Sequence, residues 1–128
     1  MPNFDPIIEK ITDYVQSFEA KENSLLEAKT CFFDSLACSF LALKYDQVQK
    51  FCSIEYIKKS TGSSRVIGTD IKSNPVEAAF LNGALIRWLD FNDTWLAKEW
   101  GHPSDNLAAI LSMYDYLKAE RNKINNFN

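Results

Sequence analysis

The segment SLLEAKTCFFDSLACSFLALKY, residues 24–45, constrains the fold more than any other part of the sequence. It contains no glycine or proline, and its apolar residues cover most of the circumference of a helix. A helix of this kind must be surrounded by other elements, and its first four residues, SLLE, form a capping-box pattern that predicts a start at Ser24. Its longest apolar tract, Cys31 to Leu43, is interrupted by Asp34 and is too short to span a bilayer, so we expect no membrane partner.

Four more helices are predicted from apolar residues that recur every three or four positions. Asp5-Pro6 and Asn74-Pro75 each combine an N-cap acceptor with a proline in the first turn. Small residues in the helix that follows Asn74, among them Gly83, permit close packing against a neighbour. The predicted ranges are 5–18, 47–59, 74–89 and 105–119, and the side chains expected to face inward include Val48, Phe51, Ile54, Ile57, Leu107, Ile110, Leu111, Tyr114 and Leu117. Residues 63–74 predict a loop with a brief extended piece at 65–67.

The chain therefore predicts one all-α domain of about five helices over residues 1–128. The Asn-rich tail, about residues 120–128, loses the apolar period and is expected to fray. Hydrophobic residues make up 46% and charged residues 24% of the 128 residues, the balance of a globular protein. The net charge of −3 argues against a nucleic-acid partner, which requires a basic surface.

The three cysteines, Cys31, Cys38 and Cys52, show no C-x-x-C spacing. They are interpreted as apolar packing residues in a reducing compartment rather than as ligands of an iron–sulfur cluster, which would require closer spacing. The N-terminal residues lack the basic and apolar regions of a secretory signal, so a cytoplasmic location is expected.

One polar and aromatic segment, LDFNDTWLAKEWGHPSDN at residues 89–106, separates the last two predicted helices. It contains the only histidine, His102, and histidine is the side chain that ordinarily exchanges protons near neutral pH. Asp90 and Asp93 are candidates to orient that histidine or to act as bases themselves. Pro103 begins a helix whose free backbone N–H groups would suit a carboxylate or phosphate. Together these features suit proton transfer on an anionic substrate.

A simpler interpretation of the same segment stays open. A histidine beside a helix start is commonly a cap or surface residue, and Ser104 or Asp105 would serve as an ordinary N-cap. The histidine and its neighbouring carboxylates match no usual metal-ligand spacing, so no metal is predicted. No nucleophile elbow, phosphate-binding glycine loop or nucleotide fingerprint is found, and no cofactor is predicted.

Two long strings in the sequence resemble a known family. AAFLNGALIRWLDFNDTW and GHPSDNLAAIL, together with VIGT and DSLACSFLAL in the same order, are similar to the 2-methylcitrate dehydratase family, which also includes cis-aconitate decarboxylase. The resemblance runs from about Asp5 to Leu117. It implies a large all-helical domain, a smaller α/β lid, a homodimer and a carbon–oxygen lyase without metal. The reaction it implies removes water from 2-methylcitrate to give 2-methyl-cis-aconitate, a step of propionate catabolism.

The matching motif of the family assigns three catalytic residues. The resemblance implies that Asp90 assists as base or orienter, that Thr94 donates a hydrogen bond to substrate, and that His102 exchanges a proton or holds a carboxylate. Asp93 and Ser104 are predicted to bind the small tricarboxylate substrate. Which group removes the carbon-bound proton stays open at this point.

Members of the family are several times longer and use further histidines and lysines, so the resemblance implies that this chain is an N-terminal portion without the lid. Such a portion is expected to turn over little substrate alone. Two alternatives are kept: a lyase resembling cis-aconitate decarboxylase, and a non-catalytic helical remnant that acts as an interaction module. The strings DFNDT and GHPS favour the dehydratase branch over the decarboxylase branch.

Overall fold

The structure is a computed structural model that describes residues 5–55 and 59–125, apart from the side chains of residues 123 and 124. Five α-helices lie in these ranges: α1 (Pro6–Ser17), α2 (Glu22–Ala42), α3 (Asp46–Cys52), α4 (Pro75–Arg87) and α5 (Leu107–Asn125). A minimal antiparallel hairpin connects α3 to α4: β1 (Ser64–Arg65) and β2 (Lys72–Ser73). A 3-10 turn, Pro103–Asn106, leads directly into α5. The prediction of an all-α fold is confirmed.

Side-chain caps start α1 and α4 as the sequence predicts. The carboxylate of Asp5 accepts the N–H of Ile7 at 2.8 Å. The amide oxygen of Asn74 accepts the N–H groups of Val76 and Glu77, each at 3.0 Å. In both helices a proline follows the cap. Its lack of an N–H costs no hydrogen bond there, because the N–H of the first helical residue has no partner within the helix.

Helix α2 differs from its prediction in its start and in its burial. It begins at Glu22, and Lys21 at the N-cap makes no side-chain capping bond. The predicted capping box is therefore wrong, because Ser24 already lies inside the first turn. The buried residues of this helix all lie in its C-terminal half, on one face: Ser35, Cys38, Ser39 and Ala42. Large side chains on the rest of its surface are at least half exposed: Leu25, Leu26, Phe33 and Phe40.

The core lies where α4 meets the end of α2, α3 and the hairpin. Leu81 and Leu85 of α4 are at most 1% exposed and form its centre. Burial of such a leucine side chain contributes roughly 1.5–3 kcal/mol. The other members of the core cluster are Ala42, Val48, Cys52, Val66 and Ala78.

Helix α5 packs against the face of α4 that carries small residues. A Cβ added at Gly83 would lie 3.7 Å from the Cβ of Ala108, an ordinary van der Waals contact. The prediction that small residues on this helix permit close packing is confirmed. This pairing brings the end of α4 close to the 3-10 turn, which is where the candidate site forms.

Several predicted inward positions face solvent instead. The apolar stripe of α1, from Ile7 to Phe18, is 53–68% exposed along its length. Ile110, Tyr114 and Leu117 of α5 are 57–59% exposed. The helical periods are correct, but none of the elements in residues 5–55 and 59–125 covers these faces. Periodicity identifies an apolar face without identifying what packs on it.

Helix α3 is shorter than the predicted range 47–59. It ends at Cys52, where the hydroxyl of Ser53 donates to the carbonyl of Lys50 at 2.8 Å and competes with the next helical bond. Ile54 is 46% exposed, so its predicted inward position is wrong. Ile57 lies outside the described residues.

Buried polar groups attach the hairpin to α4 and α5. Asn82 is 1% exposed; its oxygen accepts the N–H of Ile67 at 2.9 Å and its nitrogen donates to the carbonyl of Arg65 at 3.0 Å. The hydroxyl of Ser64 donates to the carbonyl of Ser112 at 2.7 Å. The predicted extended piece therefore exists, but its two strands lie at 64–65 and 72–73.

Helix α5 continues to Asn125, six residues beyond the predicted end at Ala119. Part of the tail that was expected to fray is thus helical in the structure, and residues 126–128 lie outside the described ranges. No helix in the described ranges is both long enough and apolar enough to cross a membrane.

Candidate active site

The predicted polar segment forms an irregular loop between α4 and the 3-10 turn. It starts with Asp90, whose φ of +56° lies in the left-handed region. The N–H of Asp90 donates to the carbonyl of Arg87 at 3.1 Å and closes the turn that ends α4. Aspartate tolerates this backbone region better than most residues, which explains why the chain can change direction without a glycine here.

Arg87 connects the start of this loop to its far end. Its guanidinium forms an ion pair with the carboxylate of Asp90 and lies 3.4 Å from the carboxylate of Asp105 in the 3-10 turn. The arginine side chain is 25% exposed, whereas that of Asp90 is 75% exposed. This ion pair ties Asp90, at the start of the loop, to the end of α4.

Asp93 contacts the histidine segment through both its main chain and its side chain. Its backbone carbonyl lies 2.6 Å from Nδ1 of His102. Its carboxylate Oδ2 accepts the N–H of Ser104 at 3.1 Å, while Oδ1 is buried, and the carboxylate also faces the thiol of Cys31. The structure thus places the main chain of Asp93 against His102 and its carboxylate against Ser104, two positions further along.

An isolated β-bridge closes the loop between these two contacts. Trp95 and Gly101 exchange two backbone hydrogen bonds of 2.8 and 3.1 Å. The ring of Trp100 meets the imidazole of His102 edge to face, with centroids 5.6 Å apart and an interplanar angle of 83°. His102 is therefore held by a ring contact and by a hydrogen bond, although Trp95 and Trp100 are themselves mostly exposed.

A cleft of about 530 Å³ lies beside this loop. Of the predicted site residues, Thr94 and Asp93 line it, whereas Asp90, His102 and Ser104 are not among its lining residues. Helix α2 contributes the opposite wall, and the complete lining is Glu27, Ala28, Cys31, Asp93, Thr94, Trp95, Pro103 and Leu107. Two of these residues are acidic, and no lysine or arginine is among them.

Two backbone N–H groups at the predicted anion site already have partners within the chain. The N–H of Ser104 donates to Asp93, and the N–H of Asp105 donates to the carbonyl of His102 at 3.0 Å. Neither N–H is free to bind a carboxylate or phosphate. Ser104 is fully buried, and its hydroxyl has no hydrogen-bonding partner within the described ranges. Its predicted contact with substrate stays a prediction.

Three residues of this region were missed from the sequence. Arg87 carried a local signal, since it lies three residues before Asp90 and just outside the polar segment. Glu27 and Cys31 carried none, because they reach the cleft only through the packing of α2. Burial raises the pKa of the Cys31 thiol, and the charge of Asp93 raises it further. The prediction that the cysteines pack as free thiols agrees with the structure, where Cys38 and Cys52 are buried and all three are unbridged.

No group of three or more His, Cys, Asp or Glu side chains in the described ranges is arranged to hold a metal ion.

Comparison with known proteins gives one family and a consistent set of relatives. The sequence profile of the MmgE/PrpD N-terminal domain matches residues 9–125. The 2-methylcitrate dehydratase of Salmonella typhimurium is 47% identical over 120 residues, which are 91% of this chain and 24% of that protein. The mitochondrial 2-methylcitrate dehydratase of Yarrowia lipolytica is 42% identical over 119 residues, 90% of this chain and 22% of that protein. The chain thus spans about a quarter of the length of the curated relatives it matches.

Proposed function

Because the chain belongs to the MmgE/PrpD family, we propose that it serves a 2-methylcitrate dehydratase, a carbon–oxygen lyase that removes water from 2-methylcitrate to give 2-methyl-cis-aconitate. The observation that carries this proposal is 47% identity to the Salmonella enzyme over 91% of the chain. The step belongs to propionate catabolism by the methylcitrate cycle. No cofactor is needed, because an acid and a base suffice for elimination of water.

Elimination requires a base at the carbon beside a carboxylate and an acid at the leaving hydroxyl. We assign the proton exchange to His102, because imidazole is the side chain that ordinarily exchanges protons near neutral pH and because the carboxylate of Asp90 is already paired with Arg87. Thr94 lines the cleft, where its hydroxyl is available to hydrogen-bond the substrate. The contact of Asp90 with Arg87 supports a role as orienter of the loop.

The charge of the cleft indicates what else the enzyme must supply. Glu27 and Asp93 line it, and like charges repel a tricarboxylate substrate in a partly buried site. Cationic groups from other parts of the enzyme must therefore neutralise the substrate, and we expect this chain by itself to turn over little 2-methylcitrate. The exposed apolar face of α1 is a separate observation. It supports the proposal that other parts of the enzyme pack on this helix.

Assembly and location are also proposals. A homodimer is expected from the family resemblance, and light scattering on the complete enzyme would test it. Three unbridged cysteines are typical of a reducing compartment such as the cytoplasm. The Yarrowia relative is described as mitochondrial, so localisation of a fluorescent fusion in the source cell is the direct measurement.

A chimera tests the function itself. The matched N-terminal segment of the Salmonella enzyme would be replaced by this chain, and loss of water from 2-methylcitrate followed by ultraviolet absorbance. The proposal predicts activity in the chimera and little in the chain alone. A folded chimera without activity, beside an active Salmonella enzyme, would contradict the proposal and favour a non-catalytic role.

The same chimera would be assayed with cis-aconitate as substrate in parallel. Formation of itaconate without loss of 2-methylcitrate would support the decarboxylase alternative.

A further inference from the structure

The hydrogen bond at His102 determines which of its ring nitrogens carries the proton. Nδ1 lies 2.6 Å from the backbone carbonyl oxygen of Asp93. A carbonyl oxygen can only accept, so Nδ1 must be the donor in both the neutral and the charged ring. In the neutral ring the lone pair is then on Nε2. A proton can enter and leave at Nε2 while the bond to Asp93 stays intact.

The side chain of Asp93 holds this carbonyl in place. Its Oδ2 accepts the N–H of Ser104, so one residue grips the tripeptide 102–104 at two points, by its main chain and by its carboxylate. A bond from a carboxylate to a backbone N–H is charge-assisted and stronger than a neutral one. The bond from the Asp93 carboxylate to the Ser104 N–H fixes the distance between residue 93 and residues 102–104. The bond between the Asp93 carbonyl and Nδ1 of His102 depends on that distance.

The rest of the loop restricts motion of the same ring. The bridge between Trp95 and Gly101 joins the two arms of the loop just inside the Asp93–His102 contact. The ring of Trp100 packs edge to face on the imidazole. Rotation of His102 that would exchange its two nitrogens must break the hydrogen bond and the ring contact together.

We infer that Asp93 is a positioning residue, which selects the Nδ1–H tautomer of His102 and leaves Nε2 as the proton-exchanging atom. The tautomer follows from the geometry alone, whereas its catalytic meaning rests on the proposed function. This assignment adds a role to the sequence-based prediction that Asp93 binds substrate: Oδ2 contacts Ser104, and the substrate contact stays a prediction.

Nitrogen NMR on the chain itself tests this inference. His102 is the only histidine, so the imidazole of an untagged, ¹⁵N-labelled chain needs no further assignment. Long-range ¹H–¹⁵N spectra recorded at a pH above which the imidazole shifts no longer change report the tautomer of the neutral ring. We expect Nδ1–H to be the major form. A ring that is mainly Nε2–H would overturn the inference without reference to any activity.

Two substitutions of Asp93 separate the effect of its side-chain acceptor oxygen from the effect of its negative charge. Asp93→Ala removes the acceptor of the Ser104 N–H but keeps the backbone carbonyl, and the ratio of Nδ1–H to Nε2–H should fall by about three- to tenfold, the effect of one ordinary hydrogen bond. Asp93→Asn keeps an acceptor oxygen and should retain most of the wild-type ratio. Asp70→Ala, in the exposed turn between β1 and β2, is the matched control and should change nothing.

An unchanged ratio in Asp93→Ala would overturn the role of the side chain, and loss of the tautomer in Asp93→Asn would overturn the role of the acceptor. If Asp93→Ala does not fold, the wild-type spectrum and Asp93→Asn still decide. All of these spectra are recorded without substrate, so an inactive chimera would contradict the proposed function and leave this inference unaffected.

Discussion

Replacing Asn82 by alanine should destabilise the fold, because this buried amide attaches the hairpin to α4. Asn82 is 1% exposed and satisfies the N–H of Ile67 and the carbonyl of Arg65 at 2.9 and 3.0 Å. Asn82→Ala leaves both backbone groups without this partner, and each unsatisfied group costs roughly 1–3 kcal/mol. We expect the free energy of unfolding to fall by about 2–4 kcal/mol, the lower part of the summed range because the neighbouring backbone is only part-buried.

Asn106→Ala provides the matched control. Asn106 is exposed, and its amide nitrogen donates to the carbonyl of Pro103 at 3.3 Å. This substitution should change the free energy of unfolding by less than about 0.5 kcal/mol. Urea unfolding followed by far-ultraviolet circular dichroism measures both variants, with the slope m checked for a common mechanism. Equal losses for Asn82→Ala and Asn106→Ala would refute the argument that the hairpin is attached through a buried amide.

Two further predictions concern charge and glycine. Hydrogen bonds and charge from Arg65 lower the pKa of Asp115 in the folded protein. The stability that this pair contributes is therefore complete above the ordinary aspartate pKa of about 3.9. It is lost as the pH falls through the lower pKa of the folded state. Asp115→Asn should remove that acid-dependent loss in a pH series of thermal melts, and an unchanged slope would contradict it. Gly83→Ala should raise the free energy of unfolding by up to about 1 kcal/mol, since alanine favours helices and the added methyl meets Ala108 at an ordinary 3.7 Å. Gly62→Ala should lower it, because its Cβ would lie 2.1 Å from the carbonyl oxygen of Ser73, and equal melting temperatures for the two alanine variants would refute this contrast.

The position of the candidate site could be predicted from the sequence, because its signals are local. The loop over residues 89–102 interrupts two strongly periodic helices, and it contains the single histidine. The caps at Asp5 and Asn74 were likewise correct, since a cap is decided by neighbours within four residues. The family strings added the reaction, which no local pattern could specify.

The remainder depends on packing between distant segments. The contact of Arg87 with Asp105 and the contribution of Cys31 to the cleft arise only when α2, α4 and α5 come together. The end of α3 was misplaced because the bond from the Ser53 hydroxyl outweighed an apolar pattern that continued past it. The apolar residues of α1 were also identified correctly by their period, but a period does not tell what packs on them. No element among the described residues covers them.

The contacts of Asp93 with its own chain could not be predicted from the sequence for a related reason. A carboxylate near a candidate base suggests a substrate contact when only the sequence is known. In the structure one oxygen of Asp93 caps Ser104, and the main chain of the same residue orients His102. A residue that binds other parts of its own chain cannot be distinguished by sequence from one that binds a ligand.

The central claim is that this chain supplies the proton-exchanging group of a 2-methylcitrate dehydratase. It is tested most directly by His102→Gln in the chimera with the Salmonella enzyme, with kcat and KM for 2-methylcitrate measured beside the unsubstituted chimera. We expect kcat to fall by about 100-fold or more, the usual contribution of a positioned acid or base, while the fold is unchanged. A kcat within about threefold of the unsubstituted chimera would contradict it.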